Sequence, residues 1–526
     1  MLHAYSRGAE PRNSAESDNS TDFAFNDAIL HLDPSQESDT AQGPPTGRLN
    51  VFDVLALTIG LQIGSGIFSS PGIVTTHTGS VGCSVLVWIA SGLLAFTGAS
   101  SFAELATAIP LNGGAQTYLQ YALGPLWGFL YSWTAIVALK PSSGAIIATI
   151  FGEYVVRVCL YVIDGVDSEN SNGFSTYGRD DLPVFAVKGT AFALVLLLFA
   201  IQVFSRKGST SVQLAITVAK CIMLYSIPVI GIVHAATQGL PDDSKKALGS
   251  FAGLFKGSST DPSRYALALY SGLWAYDGWD QCSFIAGEMR NAQRDVPRVI
   301  RTSAVFVTTS FVTTVVCYFL VLSPSQVAHT NTVALDFGAM SLGSVGAVVC
   351  AGFVAFSCLG ALNGHAFTYS RLVCASGQEG FLPSVFGEHS VRFGTLVYAS
   401  ILSTVFILGF VLFGSGFAAL VNFCGICTWF WYGMTALGLL VLRVKEPELE
   451  RPYRTWIATP ILFVAVSLFL LVMPIFAAPW EALAALVFIG AGIPIYVVTQ
   501  PDARRLISSY VRWQPVASDE IELSGR

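Results

Sequence analysis

The chain is 526 residues long, 53% hydrophobic and 12% charged, with a formal net charge of -6. Soluble globular domains carry about 25% charged residues, so this composition excludes a water-soluble protein and points to a membrane protein. The small net charge gives no indication of partners, and neither nucleic acid nor a metal or cofactor is expected.

Residues 1–50 are polar and rich in Ser, Asp, Glu and Pro, without the apolar core of a signal peptide. They read as a disordered cytoplasmic tail. From Val51 onward the chain is a series of apolar runs of about 20 residues or more, the length a helix needs to cross hydrocarbon. Span 1 is expected at 51–74. Inside it, GLQIGSGIFSSPG (60–72) sets Gly64, Ser65 and Gly66 close to the middle. Glycine weakens a helix by roughly 1 kcal/mol relative to alanine, so the helix is expected to break there. Span 2 (81–109) carries Glu104 near its inner end. Span 3 (124–162) is long enough to tilt or project beyond the bilayer and is followed by a loop at 163–183. Span 4 is expected at 184–204 and span 5 at 210–235. Lys220 lies too deep in span 5 to snorkel easily, and an intramembrane ionisable residue is functional by default.

Span 6 (266–288) contains YSGLWAYDGWDQ (270–281), again interrupted by glycines, with Asp277 at mid-span depth and Glu288 near its end. Span 7 follows at 298–322. Span 8 (338–374) is long and bears His365, read as a packed, hydrogen-bonded histidine. Spans 9 (394–414) and 10 (416–443) are divided only by a Gly-Ser-Gly turn. Cys424 and Cys427 in span 10 have nominal redox spacing but are read as small residues of a packed helix interface. Spans 11 (456–477) and 12 (480–499) complete the series, and 500–526 form a cytoplasmic tail. Glu104 and Glu288 are read as interfacial charges or an inner salt-bridge gate. Asp277 either caps the second half of span 6, accepting amides around Trp279 and Asp280, or serves as a functional acid.

With the N-terminus inside, nineteen of the 28 Lys and Arg residues fall in inside segments and five in outside loops. This bias predicts a cytoplasmic N-terminus, and an even number of spans puts the C-terminus on the same side. All ten cysteines lie in or beside spans, so a disulfide framework is not expected.

The breaks in spans 1 and 6 occupy corresponding places if spans 1–5 and 6–10 are two halves. Paired interruptions of this kind mark a transporter of inverted repeats. Unwinding a helix at the bilayer midplane frees backbone groups that survive only against a polar cavity or a ligand. One half-helix N-terminus offers partial positive charge to a carboxylate, and a C-terminus offers carbonyls to an ammonium. Such a site suits an α-amino acid. The expected organisation is all-α: about twelve transmembrane helices, inverted repeats at about 51–235 and 266–443, and two extra helices over 456–499.

LTIGLQIGSGIFSSPG resembles the first-span signature of the amino acid–polyamine–organocation superfamily. LALYSGLWAYDGW with GEMRNAQRDVPRVI, then VALDFG, SCLGALNGHAFTYSRL, QEGFLPS and KEPELERPYR, is similar to successive blocks of its L-type amino-acid transporter branch, over roughly 50–500. The resemblance implies a secondary transporter of L-amino acids working by alternating access. It implies that the amides of Ser65, Gly66 and Ile67 hold the substrate carboxylate. Carbonyls near Ile63, Trp274, Ala275 and Asp277 would hold its amino group, with Gly64 shaping the break. Trp274 would act as a lid, and the stretch 422–429, with Cys424 and Trp429, as the side-chain wall. Lys220 would bridge spans where sodium-coupled relatives hold an ion. Fungal methionine permeases lie near this branch, so a large neutral or sulfur-containing substrate and a plasma-membrane location are expected. Some animal members join a single-span glycoprotein through a cysteine after span 3. The loop 163–183 has none, and no disulfide-linked heavy chain is expected.

Two alternatives remain open. An amine or polyamine carrier would favour acidic pocket residues, as Asp277 does. A nutrient sensor on a transporter scaffold would be expected to have a long structured tail. No Walker loop, HExxH or convincing Ser–His–Asp set points to an enzyme.

Overall fold

The computed structural model describes residues 49–163, 182–204, 208–330, 332–390, 393–413, 417–477 and 479–499. Almost all of the expected N-terminal tail, residues 164–181 of the loop after span 3, the Gly-Ser-Gly turn and the tail 500–526 lie outside these residues. The described chain is helical apart from connecting turns and one isolated bridge. Nine helices among the described residues are long and apolar enough to cross a membrane, and Val397–Phe413 and Ala458–Met473 are shorter apolar helices. Together with the broken span 6 they account for twelve passes.

Local chemistry sets the starts and stops. Span 1 starts behind Asn50, whose N–H donates to Asp53 Oδ2 at 3.0 Å in a capping box. It stops at Gln62, resumes at Gly66 and runs to Thr78, where Gly79 takes a left-handed conformation. Span 2 (Val81–Ala108) is capped by Ser80, which accepts from Cys83 N at 3.3 Å. Span 8 begins early, at Val333, because Gly343 (φ 66°) joins a short helix to a long one within Val333–Gln378. Spans 9 (Val397–Phe413) and 10 (Phe417–Lys445) are separate helices.

Span 3 is uninterrupted but irregular. Pro125–Thr134 passes through a π-turn, Ala135–Leu139, into Lys140–Ile163. Pro141 has no N–H for the Val137 carbonyl and its ring crowds that carbonyl. A wider π-turn accommodates it, and such turns recur at functional sites.

Four of the five helices of the first half pack on their counterparts in the second: span 1 on 6, 2 on 7, 3 on 8 and 4 on 9. Small residues permit close approach; a Cβ on Gly92 of span 2 would fall 2.6 Å from the Thr308 side chain of span 7. Spans 11 and 12 lean on span 10. The N-terminal face is laced with charge. Glu104 of span 2, wholly buried, receives Arg443 of span 10 (Nε to Oε1, 2.9 Å) and the Thr455 amide (2.8 Å), with Arg451 at 3.7 Å.

Candidate functional site

The two breaks lie against each other. Where Gly66 opens the second half of span 1, a Cβ would lie 2.4 Å from Ala275 Cα; where Gly278 turns span 6 (φ 105°), a Cβ would lie 3.0 Å from Leu61 Cβ. Gly66 is thus explained by backbone meeting backbone, which no side chain would permit, and Gly278 by its positive φ with Leu61 close by. The sequence had suggested another reason for Gly66, the approach of a substrate carboxylate.

The polar ends of the first break are served unequally. The carbonyls of Gly60 and Ile63 accept from Lys220 Nζ at 2.7 and 2.9 Å, and those of Ile63 and Gly64 from Ser357 Oγ at 3.0 and 3.1 Å. Lys220 of span 5 and Ser357 of span 8 therefore tie three spans together at the break. The Ile63 carbonyl carries two donors and has no lone pair left for an ammonium, a departure from the role the sequence suggested for it. On the other side, the amides of Ser65, Gly66 and Ile67 head a helix, where no intrahelical acceptor exists. They have no hydrogen-bond partner among the described residues.

Span 6 stops at Ala275 and continues only as two short turns, Gln281–Phe284 and Ala286–Glu288. Its unwound stretch faces a cavity with about 860 Å³ of empty space, including its open mouth, between spans 3, 6, 8 and 10. Four of the residues to which the resemblance assigns a substrate contact, Trp274, Asp277, Cys424 and Trp429, line it, whereas residues 63–67 are buried beside it. Ala275 packs on Gly66 instead. The Asn422 side chain lies outside the described residues.

The cavity has an aromatic wall (Tyr270, Trp274, Trp429, Trp431) and a charged floor (Lys140, Asp277, Asp280). Asp277 Oδ1 accepts the Tyr432 hydroxyl at 3.2 Å, and no bond to the Trp279 or Asp280 amides is found among the described residues. Asp277 therefore faces the cavity and does not cap the second half of span 6. Asp280 accepts from Gln281 Nε2 at 2.6 Å. Lys140 Nζ rests 4.6 Å from the centre of the Phe284 ring, and its carbonyl pairs with His365 Nε2 at 2.8 Å. His365 is packed and hydrogen-bonded as expected, yet also lines the cavity. Cys424 Sγ meets Ser142 Oγ at 2.7 Å, not Cys427. Sequence reasoning missed Lys140, Asp280 and Ser357 as members of this site. Pro141 was the available signal for Lys140, because it marks the π-turn just before that residue.

Known proteins are similar to most of this chain in sequence. The sequence profile described as "Amino acid permease" matches residues 49–498. The chain belongs to the amino acid permease family. The b(0,+)-type amino acid transporter 1 of Mus musculus is 36% identical to this permease over 450 residues, 85% of this chain and 87% of the relative. The cystine/glutamate transporter of Homo sapiens is 30% identical over 452 residues (85% and 84%). The large neutral amino acids transporter small subunit 2 of Oryctolagus cuniculus is 31% identical over 450 residues (85% and 79%). These relatives place the permease in the L-type amino-acid transporter branch. It is an amino-acid transport protein of the membrane, not an enzyme.

Proposed function

We propose that this permease is a secondary transporter that carries large neutral or sulfur-containing L-amino acids by alternating access between two inverted five-helix repeats. The observation that carries the reading is the contact of two helix breaks beside one cavity, with unpartnered amides on span 1 and an unwound backbone on span 6. The amides of Ser65, Gly66 and Ile67 are the carboxylate anchor. The span-6 backbone from Trp274 to Asp277 receives the amino group, Ile63 and Gly64 being engaged by Lys220 and Ser357. The aromatic and sulfur-lined wall takes the side chain. For the anchor to be reached, Ala275 must move off Gly66, so binding and rearrangement of the breaks are one event. The N- and C-termini are cytoplasmic, the location is the plasma membrane, and no disulfide-linked heavy chain is required.

A second reading has one observation in its favour. Asp277 and Asp280 both line the cavity against the single Lys140, leaving an acidic excess that fits a substrate with a side-chain amine. Uptake into liposomes containing the purified permease, with labelled leucine, cystine, arginine and glutamate, separates the two. Preference for leucine or cystine supports the first, preference for arginine the second, and no uptake of any contradicts both.

A further inference from the structure

The inner end of span 6 is held from three directions. Leu49, two residues before the span-1 helix, forms a parallel bridge with Met289. Its N–H donates to the Glu288 carbonyl at 3.1 Å and its carbonyl accepts from Arg290 N at 3.3 Å. The Leu49 side chain is buried. Glu288, whose carbonyl takes the first of these bonds, also receives both arms of the Arg371 guanidinium from span 8 on its carboxylate, at 2.6 and 3.0 Å. Arg371 is itself stacked 3.3 Å from the centre of the Phe367 ring. One residue earlier, the Gly287 amide donates to Asn112 Oδ1, in the connection between spans 2 and 3, at 3.1 Å.

Residues 287–290 are thus bound in turn by the span 2–3 connection, span 8 and the residue Leu49 before span 1. This matters because the inner half of span 6 has almost no helix of its own. A segment of one or two turns is marginal without outside support, so these clamps set its position. It leads directly from Asp280 at the cavity to the N-terminal face of the protein.

We propose that Leu49 and Arg371 are gating residues, and that together they latch the inner half of span 6 shut across the path from the cavity to the N-terminal face. Opening to that face requires Leu49 to release residues 288–290 and Arg371 to release Glu288. The inference rests on the alternating-access reading above. A bidentate guanidinium–carboxylate pair has two discrete states, made and broken, and its loss shifts a two-state equilibrium by the difference in its contribution to each.

Cys424 supplies a native reporter, since it lines the cavity. The permease is placed in vesicles of known sidedness. A membrane-impermeant maleimide is applied to one face at a time, with Cys424→Ser giving the background from the other cysteines. In Leu49→Pro, which lacks the N–H donated to Glu288, labelling from the N-terminal face is expected to rise about tenfold while labelling from the opposite face falls. Arg371→Gln is expected to do the same, and the exchange Glu288→Arg with Arg371→Glu to return both rates toward wild type. Unchanged rates in both single variants overturn the latch. Equal acceleration from both faces also overturns it, because the clamp would then only hold the fold together. Counterflow of labelled leucine by the wild type is measured in the same vesicles. Its absence contradicts the transport reading, whereas counterflow with unaltered labelling contradicts the latch alone.

Discussion

Gly66 makes the argument at the smallest scale. Its missing Cβ is the space into which Ala275 fits, at a distance no real side chain tolerates. Gly66→Val is expected to abolish uptake, normalised to protein at the cell surface, because overpacking at a buried contact costs about 1–3 kcal/mol. Near-wild-type uptake would show that the breaks need not touch. Lys220 is a second such residue. Its ammonium satisfies the Gly60 and Ile63 carbonyls at the span-1 break, the role a cation would otherwise fill. Uptake is therefore expected to survive replacement of external sodium by choline, and Lys220→Ala to lose it, since orphaned buried acceptors cost about 1–3 kcal/mol each. A strong sodium requirement in the wild type would contradict this role. Asp277 is the third. Asn in its place keeps an acceptor for Tyr432 and removes only the charge. If the acidic excess selects amine-bearing side chains, Asp277→Asn lowers arginine uptake relative to leucine about tenfold or more, equivalent to roughly 1.4 kcal/mol. An unaltered ratio would remove Asp277 from selectivity.

Among the elements, span 2 and span 10 are joined by Glu104, buried and held by Arg443 and Arg451. Breaking a buried pair by removing one charge destabilises by about 3–5 kcal/mol, so Glu104→Gln is expected to lower the melting temperature of the purified protein markedly. An unshifted melting curve would show that the network is dispensable. Both broken helices were legible in the sequence because glycines stand out inside apolar runs, and Asp277 because a carboxylate at mid-span is conspicuous. The ends were less so: span 1 reaches Thr78, and span 8 starts at Val333 with a glycine joint that hydropathy does not reveal. Lys140 was visible as an intramembrane lysine, but its place on the cavity depends on the face presented after the π-turn. Ser357, 294 residues from Ile63, could be assigned to the break only by tertiary contact. The sequence likewise marked Gly66 but not its contact with Ala275, since that neighbour belongs to a distant helix.

For the whole molecule, the pairing of spans 1 with 6, 2 with 7, 3 with 8 and 4 with 9 is the arrangement that the proposed alternating access would use, with two half-structures rocking about a shared site. The cavity lies between them, and the broken helices are the parts least supported by their own hydrogen bonds. The central claim is that amino acid binds there and is carried from one face to the other. Counterflow tests this most directly. Liposomes containing the purified permease are loaded with unlabelled leucine and diluted into labelled leucine at low concentration, without an ion gradient. The account predicts a transient accumulation of label above its equilibrium level, because exchange through one alternating site is faster than net loss of the internal pool. Label that never exceeds the level of protein-free liposomes, across leucine, cystine, arginine and glutamate, would contradict it.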